Sequence, residues 1–241
     1  MDSDEQAPVG SSLSATSAKL YTPFILWLYD FVVHTLSNQF AWCCSSKDVL
    51  VPFFQRYLPE GRNHLDVGVG TGYMLYHSNA QLSSYENIFL MDMNPNALAQ
   101  SARRLEGSGL PPTAIHPILH DATLPWNQKP LPMFESISVF YLLHCLSGPM
   151  TDKVRTVVSA LKPHLNPTSG VLYGATILGD EAHHNILGRC LMGIYNWKGV
   201  FGNRGDKEAD LREALRQHFE EVDVWRRGKV ALFAARKPIT R

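Results

Sequence analysis

The chain has 241 residues, of which 45% are apolar and 18% are charged, as is ordinary for a globular protein with one full core. Its formal net charge of zero gives no electrostatic footprint for nucleic acid, and no apolar run is long enough to span a bilayer. The four cysteines show no C-x-x-C spacing and the N-terminus has no targeting pattern, so we expect a cytoplasmic protein in a reducing compartment.

The N-terminal region divides into a tail and a predicted helical cap. Residues 1–18 are rich in Ser, Ala and Gly and poor in apolar side chains, which predicts a flexible tail. After Pro23, apolar residues recur at steps of three and four, which predicts an amphipathic helix over residues 24–36. A second helix is predicted from Ser45 to just before Pro59. Its expected buried side consists of Val51, Phe54, Tyr57 and Leu58.

Strands and helices then alternate along the remaining chain. Strands are predicted at residues 64–67, 87–92, 114–120, 134–140 and 170–176. Helices are predicted at residues 72–80, 95–106, 142–146 and 150–161, with Asn94 as the N-cap of the second. Residues 222–226 and 230–236 are predicted to form a hairpin.

This alternation predicts a single α/β domain over residues 19–241, with a cap at 19–60 and a core at 61–241. We expect a Rossmann-like seven-stranded sheet, mostly parallel with one antiparallel strand in a C-terminal hairpin. Helices should cover both faces of the sheet, joined by right-handed crossovers.

The most informative segment joins the first core strand to the helix after it. It reads Leu65-Asp66-Val67-Gly68-Val69-Gly70-Thr71-Gly72, and a second acid, Asp92, ends the next strand. Glycines let the backbone pass close to a ligand, but the spacing differs from the G-x-G-x-x-G of dinucleotide enzymes. Asp66 would repel a pyrophosphate and hold an amine. S-adenosylmethionine (SAM) carries an ammonium and no phosphate, so the segment predicts a SAM site.

These residues resemble a known family. Residues 66–72 are similar to the first motif of class I SAM-dependent methyltransferases, and Asp92 is similar to their ribose-binding acid. His120-Asp121-Ala122-Thr123 resembles the adenine-edge motif, and residues 134–144 resemble the fourth-strand motif. The resemblance spans about residues 21–236. Within the family, the chain resembles the small microbial and fungal methyltransferases of polyketide and other secondary-metabolite pathways.

The resemblance implies how the cofactor is held at the carboxyl edge of the sheet, where strand order reverses. Asp66 would bind the methionine ammonium, directly or through water, beside the backbone of Gly68 and Gly70. Asp92 would accept hydrogen bonds from both ribose hydroxyls. Each of these acids could instead serve as a turn or N-cap residue.

Further cofactor contacts are expected around the adenine and the reacting methyl group. Met93 would pack on the adenine face, and Asp121 beside Ala122 would accept from the adenine amine, unless Asp121 is a turn residue. Phe140 would flank the methyl group. Tyr29 on the N-terminal helix is a further candidate cofactor contact.

Histidines are the candidate general bases, because their pKa lies near the working pH. His183 and His184 follow the fifth strand in a polar loop, and adjacent residues point different ways, so we expect only one to face the cavity. His144 follows the fourth strand. The alternatives are a solvated loop for the pair and ordinary helix packing for His144. His34 is expected to serve packing.

The acceptor pocket is expected to combine the N-terminal helix with residues 187–201. Aromatic and methionine side chains in both segments suit a flat apolar acceptor, although such side chains can equally face the core. Residues 199–203 are interpreted as a turn or lid hinge. The candidate substrate-binding residues are Tyr21, Trp27, Tyr141 and Tyr195.

Small-molecule O-methylation, on a phenolic, enolic or pyrone hydroxyl, is the predicted activity. The Asn/Asp-Pro-Pro-aromatic motif of nucleic-acid amino-methyltransferases is absent after strand four, and so is the paired-glutamate loop of protein arginine methyltransferases. No metal is expected and the oligomeric state is left open. The alternatives are C- or N-methylation, a cyclase or pericyclase that binds SAM without methyl transfer, and a regulatory homologue.

Overall fold

The computed structural model describes residues 37–59, 61–126 and 130–239. The predicted tail and the first cap helix lie outside these residues, together with Tyr21, Trp27, Tyr29 and His34. Within the described part of the chain, no helix is long and apolar enough to cross a membrane.

Seven strands form one sheet in the order β3-β2-β1-β4-β5-β7-β6. Strands β1 to β5 run parallel, and β7 is antiparallel to both of its neighbours. This confirms the predicted sheet with its C-terminal antiparallel hairpin. The strands are β1 (Asn63–Val67), β2 (Asn87–Asp92), β3 (Ile115–Leu119), β4 (Ser136–Phe140), β5 (Val171–Ile177), β6 (Phe219–Arg227) and β7 (Val230–Pro238).

Helices cover both faces of this sheet, as predicted. Within the described residues they are α1 (Val51–Arg56), α2 (Tyr73–Tyr76), α3 (Asn79–Leu82), α4 (Pro95–Gly107), α5 (Met150–Leu161), α6 (Ile186–Trp197) and α7 (Glu208–Arg216). A π-helical turn at Ser46–Leu50 leads into α1, and the Ser45 side chain caps it by accepting from the Asp48 amide. Asn94 caps α4 as predicted, by accepting from the Asn96 amide.

Two predicted helices differ from the structure. The helix expected over residues 72–80 is divided into α2 and α3, because the Gln55 side chain donates to the His77 carbonyl and Ser78 leaves the helical conformation. The helix expected over 142–146 is only a 3₁₀ turn, Leu143–Cys145. Gly148, at a φ of 96°, and Pro149 follow too closely for a longer helix.

Strand bounds shift by a few residues, and two helices were not predicted. β3 begins after a 3₁₀ turn at Pro112–Ala114, and β4 begins late because Phe134 pairs only with Leu165 in an isolated bridge. Strand β6 is longer than expected at both ends, and β7 begins where predicted but extends two residues further. Helices α6 and α7 follow β5, where only a loop and a pocket segment were expected.

The two faces of β1 and β4 have different chemistry. Leu65 and Val67 of β1 and Ile137 and Val139 of β4 belong to the apolar core that packs with α5 and α7. Because side chains alternate along a strand, the intervening residues of both strands face the α1 side of the sheet. These intervening residues include the polar side chains of His64, Asp66, Ser136 and Ser138, all of them buried.

Candidate cofactor and active site

The glycine segment forms a tight turn from β1 into α2 at the carboxyl edge of the sheet. The amides of Gly68 and Val69 donate to the Met91 carbonyl at 2.8 and 3.1 Å, which fixes the turn against β2. Gly70 has a φ of +54°, and a Cβ there would find nothing closer than the Gly68 carbonyl at 4.0 Å. The turn therefore needs glycine for its backbone angle and leaves open space over Gly70 for a ligand.

Asp92 lies against this turn from the end of β2. Its Oδ2 accepts from the Gly70 amide at 3.0 Å and its Oδ1 accepts from the Asn94 amide at 2.9 Å. Burial raises the pKa of Asp92, and the backbone hydrogen bonds oppose that rise. The carboxylate is thus fixed beside the glycine turn.

Asp66 is the second acid at this edge, and it is 5% exposed. Its Oδ1 accepts from the Ser138 hydroxyl at 2.5 Å. Burial raises its pKa to about 7; the Ser138 hydrogen bond lowers it and the charge of Asp92 raises it further. Among the described residues, neither acid forms an ion pair with a cationic side chain. Two acids beside an open glycine turn, without a cation, fit a ligand that carries an ammonium and hydroxyls.

The predicted adenine edge lies after β3. Oδ1 of Asp121 accepts from the amide and the hydroxyl of Thr123 at 2.9 and 2.7 Å, so this acid does form a turn. Ala122 is buried and the Met93 side chain is 40% exposed. The adenine contacts of these three residues stay predictions.

Phe140 and Tyr141 end β4 in different surroundings. Phe140 is buried in an aromatic cluster with Phe53, Phe54 and Tyr173, so its side chain is part of the hydrophobic core. Tyr141 takes a left-handed φ of 59°, and its hydroxyl donates to Oδ1 of Asn38 at 2.9 Å. A left-handed backbone in a bulky residue marks a position that its surroundings hold firmly.

The two histidines after β5 are oriented oppositely. His183 is exposed and takes a left-handed φ of 52°, and this turn directs His184 inward. Nε2 of His184 lies 3.0 Å from the carbonyl oxygens of both Leu178 and Gly179, so Nε2 carries the ring proton. Its Nδ1 is buried and makes no hydrogen bond to any described residue. The ring meets the Trp42 indole edge-on at 5.5 Å between centroids.

His144 is buried in a different way. Its Nδ1 accepts from the Ile177 amide at 3.4 Å, and its ring packs edge-on against Phe201 at 4.5 Å. Burial, and then the charge of Lys153, lower its pKa to about 3. His144 therefore stays neutral at physiological pH, with the lone pair of Nδ1 already in use.

The predicted pocket segment forms α6 and the turn after it. Met192 is buried and Tyr195 packs on Phe201 at 4.8 Å, whereas Trp197 is 83% exposed and lies away from the core. Burial raises the pKa of Tyr195. Of the predicted turn at residues 199–203, only 199 and 200 lie in the turn that ends α6, and Asn203 beyond it donates to the Ile177 carbonyl at 3.0 Å.

Several residues at the site were not predicted from the sequence. Ser138 and His64 approach Asp66 from the same face of the sheet, and Asn38 binds Tyr141. The alternation of polar and apolar residues in β4 was a visible signal for Ser138. In the described ranges, no three His, Cys, Asp or Glu side chains are grouped as a metal site would require.

Comparison with known proteins shows the family. No protein-family model matches the chain. The chain is 37% identical over 233 residues to the methyltransferase aurB of Calcarisporium arbuscula, covering 90% of this chain and 95% of aurB. It is 34% identical over 219 residues to the physcion biosynthesis cluster O-methyltransferase of Aspergillus chevalieri, covering 91% and 94% of the two chains.

A solved structure supports the fold. The DhpI–SAH complex superposes on this chain with a TM-score of 0.60 at 15% identity, covering 95% of this chain and 96% of that one. An identity above 30% along nine-tenths of a relative shows membership of the same family and not only a shared fold. The glycine turn and its two acids agree with that family. The chain belongs to the class I SAM-dependent methyltransferases and is similar to the methyltransferases of fungal secondary-metabolite biosynthesis.

Proposed function

We propose that this methyltransferase acts on a hydroxyl of an apolar small molecule, such as a phenol, enol or pyrone of the polyketide type. The observation that carries the cofactor part is the buried pair Asp66 and Asp92 beside the open turn at Gly70. SAM, when bound, supplies a methyl group on a sulfonium that is open to in-line displacement. One relative is named an O-methyltransferase of a biosynthesis cluster, which supports an oxygen acceptor.

The two acids would divide the cofactor between them. Asp66 would pair with the methionine ammonium, because it is a buried acid that forms no ion pair with any residue the structure describes. Asp92 would accept from the ribose hydroxyls, in addition to the two amides that already hold it. We propose that Met93, Asp121 and Ala122 line the adenine, as the resemblance implies.

His184 is our proposed general base. Its Nδ1 accepts no hydrogen bond from the described part of the chain, and Nε2–H is fixed by two carbonyl oxygens, which would stabilise the imidazolium after proton uptake. His144 is less suited, because the Ile177 amide occupies Nδ1 and the pKa is about 3. His183 is the second candidate for the base. It follows the same strand as His184, but its side chain is exposed.

The acceptor would lie near the aromatic side chains beside His184. Trp42 and Phe201 are in contact, with ring centroids 6.2 Å apart, and Tyr195 packs on Phe201. Tyr141 closes this group through its edge contact with His144. We propose that Tyr141 and Tyr195 contact the acceptor, together with Tyr21 and Trp27 from the segment outside the described residues. Tyr29, in the same segment, stays a proposed cofactor contact.

Calorimetric titration with SAM and S-adenosylhomocysteine tests the cofactor site. Asp92→Ala should weaken SAM binding by about 1.5–3 kcal/mol, the scale of a hydrogen bond to a charged group. Asp223→Ala, which removes an exposed acid on β6, is the matched control and should leave binding unchanged. Equal affinities of the Asp92→Ala variant and the parent protein would remove Asp92 from the site.

A screen of phenols and pyrones, read as methylated product and S-adenosylhomocysteine, tests the reaction. His184→Ala should lower turnover by about 10²–10⁴-fold while SAM binding is retained. A larger loss for His144→Ala or His183→Ala would move the base to that residue. A cyclised product formed without S-adenosylhomocysteine would contradict methyl transfer and support the cyclase alternative. A product methylated on carbon or nitrogen would show that the acceptor atom is not oxygen.

A further inference from the structure

Four buried polar side chains lie side by side beneath α1, two on β1 and two on β4. The parallel register pairs His64 with Ser136 and Asp66 with Ser138. None of the four is more than 5% exposed. We refer to Ser136, His64, Ser138 and Asp66 as the polar chain.

Hydrogen bonds connect the polar chain from end to end. Oγ of Ser136 lies 2.7 Å from Nδ1 of His64, and Nε2 of His64 lies 3.3 Å from Oγ of Ser138. Oγ of Ser138 lies 2.5 Å from Oδ1 of Asp66. A neutral imidazole has one donor and one acceptor nitrogen. With Asp66 ionised, Ser136 therefore donates to Nδ1, Nε2–H donates to Ser138, and the Ser138 hydroxyl donates to the carboxylate.

His64 is held in the state that this arrangement needs. Burial lowers its pKa to about 3, so the ring is neutral at physiological pH. Phe54 and Tyr85 meet the ring edge-on at 5.7 and 6.0 Å, which fixes its plane. The histidine can then supply one N–H to Ser138 without adding a charge.

The other titratable groups near Asp66 do not favour its charged form. Asp92 opposes ionisation through its own charge. Tyr173 stands beside Ser138 in the register of β4 and β5, and burial followed by the charge of Asp66 keeps its hydroxyl protonated. Within the described chain, the Ser138 hydroxyl is thus the group that stabilises the Asp66 carboxylate.

We propose that Ser138 and His64 are positioning residues for the methyl donor: they hold Asp66 as a carboxylate with Oδ1 occupied and leave Oδ2 for the ligand's ammonium. This inference rests on the role of Asp66 in the proposed function. The ammonium of the ligand and the hydroxyl of Ser138 then approach different oxygens of one carboxylate. His64 acts through Ser138 by fixing the direction of its hydroxyl hydrogen.

Titration of the full chain with SAM at several pH values, with Ser138→Ala, tests this proposal. Loss of a hydrogen bond to a carboxylate should raise the Asp66 pKa by about 1 to 2. SAM binding should then weaken by about 8- to 75-fold at pH 6.5 but by only about 2- to 10-fold at pH 8. At high pH, SAM binding is lost because the ammonium of SAM itself loses its proton, and the pH of that loss should be the same in the parent and in Ser138→Ala.

Controls separate positioning from structural damage. Ser138→Thr keeps the hydroxyl and should restore the parent pH profile, and 5′-methylthioadenosine, which lacks the ammonium, should bind the parent and Ser138→Ala equally. Thr176→Val removes from β5 a buried hydroxyl that has no hydrogen-bond partner among the described residues, and it should change the binding of neither ligand. His64→Leu should shift the pH profile of SAM binding in the same direction by a smaller amount. It replaces Ser138→Ala as the test if that variant does not fold.

The outcomes distinguish the positioning role of Ser138 and His64 from the role of Asp66 in binding the ammonium. If Ser138→Ala weakens SAM by the same factor at both pH values, or weakens 5′-methylthioadenosine equally, the positioning role is wrong. If Asp66→Asn binds SAM as the parent does, the ammonium role of Asp66 in the proposed function is wrong. Weak binding by Asp66→Asn, together with the pH-dependent loss in Ser138→Ala, supports both.

Discussion

At the scale of single residues, Asp66 shows a conflict between stability and ligand binding. Its folded pKa of about 7 lies above the ordinary value of 3.8. Between these values the folded chain holds a proton that the unfolded chain has released, so this residue makes stability fall as pH rises from about 4 to 7. The full cost in unfolding free energy remains above pH 7, where the ligand-free protein carries a buried carboxylate that no cation of the described residues neutralises.

Asp66→Asn should therefore stabilise the ligand-free protein while it weakens SAM binding. At pH 8 the gain in unfolding free energy should approach about 2–4 kcal/mol, and at pH 4 it should nearly vanish. Urea unfolding across this range gives the measurement, with Asp223→Asn as a surface control of equal charge change. A gain that does not depend on pH would contradict the raised pKa.

At the scale of elements, a buried ion pair ties α5 to the segment that follows α6. Nζ of Lys153 binds both carboxylate oxygens of Asp206 at 2.7 and 2.8 Å and donates to the Gly202 carbonyl at 2.8 Å. The Asp206 carbonyl in turn accepts from the Gly179 amide at the exit of β5. This arrangement fixes the loop that presents His184.

Lys153→Met should destabilise the fold by about 3–5 kcal/mol, because it leaves the Asp206 carboxylate buried and uncompensated. The double variant Lys153→Met with Asp206→Leu removes both charges and should recover most of that loss. Denaturant unfolding of the two single variants and the double variant measures the coupling. Additive losses would show that the pair contributes no specific coupling to the fold.

The same scale explains how much the sequence could predict. Asp66 was found because it stands two residues before the glycine turn, and Asp92 because it ends the next apolar strand, so each was found from a pattern of a few residues. The pairing of His64 with Ser136 depends on the register of strands 72 residues apart, which no local pattern determines. Helix α7 did leave a signal, since Leu211, Ala214 and Leu215 recur at helical steps. The inward turn of His184 depends on the left-handed backbone of His183.

At the scale of the whole molecule, two buried histidines make the stability of the protein depend on pH. His64 on β1 and His144 after β4 both have pKa values of about 3, mainly through burial, against an ordinary value of 6.5. Below pH 6.5 the unfolded chain takes up protons at these positions and the folded chain does not. Stability from these residues is therefore complete above pH 6.5 and lost as pH falls towards 3.

Each histidine should contribute about 1.4 kcal/mol of lost stability per pH unit in this range. Asp66 acts in the opposite direction between about pH 4 and 7, as do Asp92 and Asp206 with their raised pKa values, whereas the lowered pKa of His164 acts in the same direction as the two buried histidines. The slope of the parent protein is therefore the sum of these opposing contributions. The His64→Gln, His144→Gln double variant is expected to start from a lower stability but to lose about 2.7 kcal/mol less per pH unit between pH 6 and 4. Denaturant unfolding at pH 6, 5 and 4 compares the slopes, and parallel lines for parent and double variant would mean that neither histidine is held neutral by the fold.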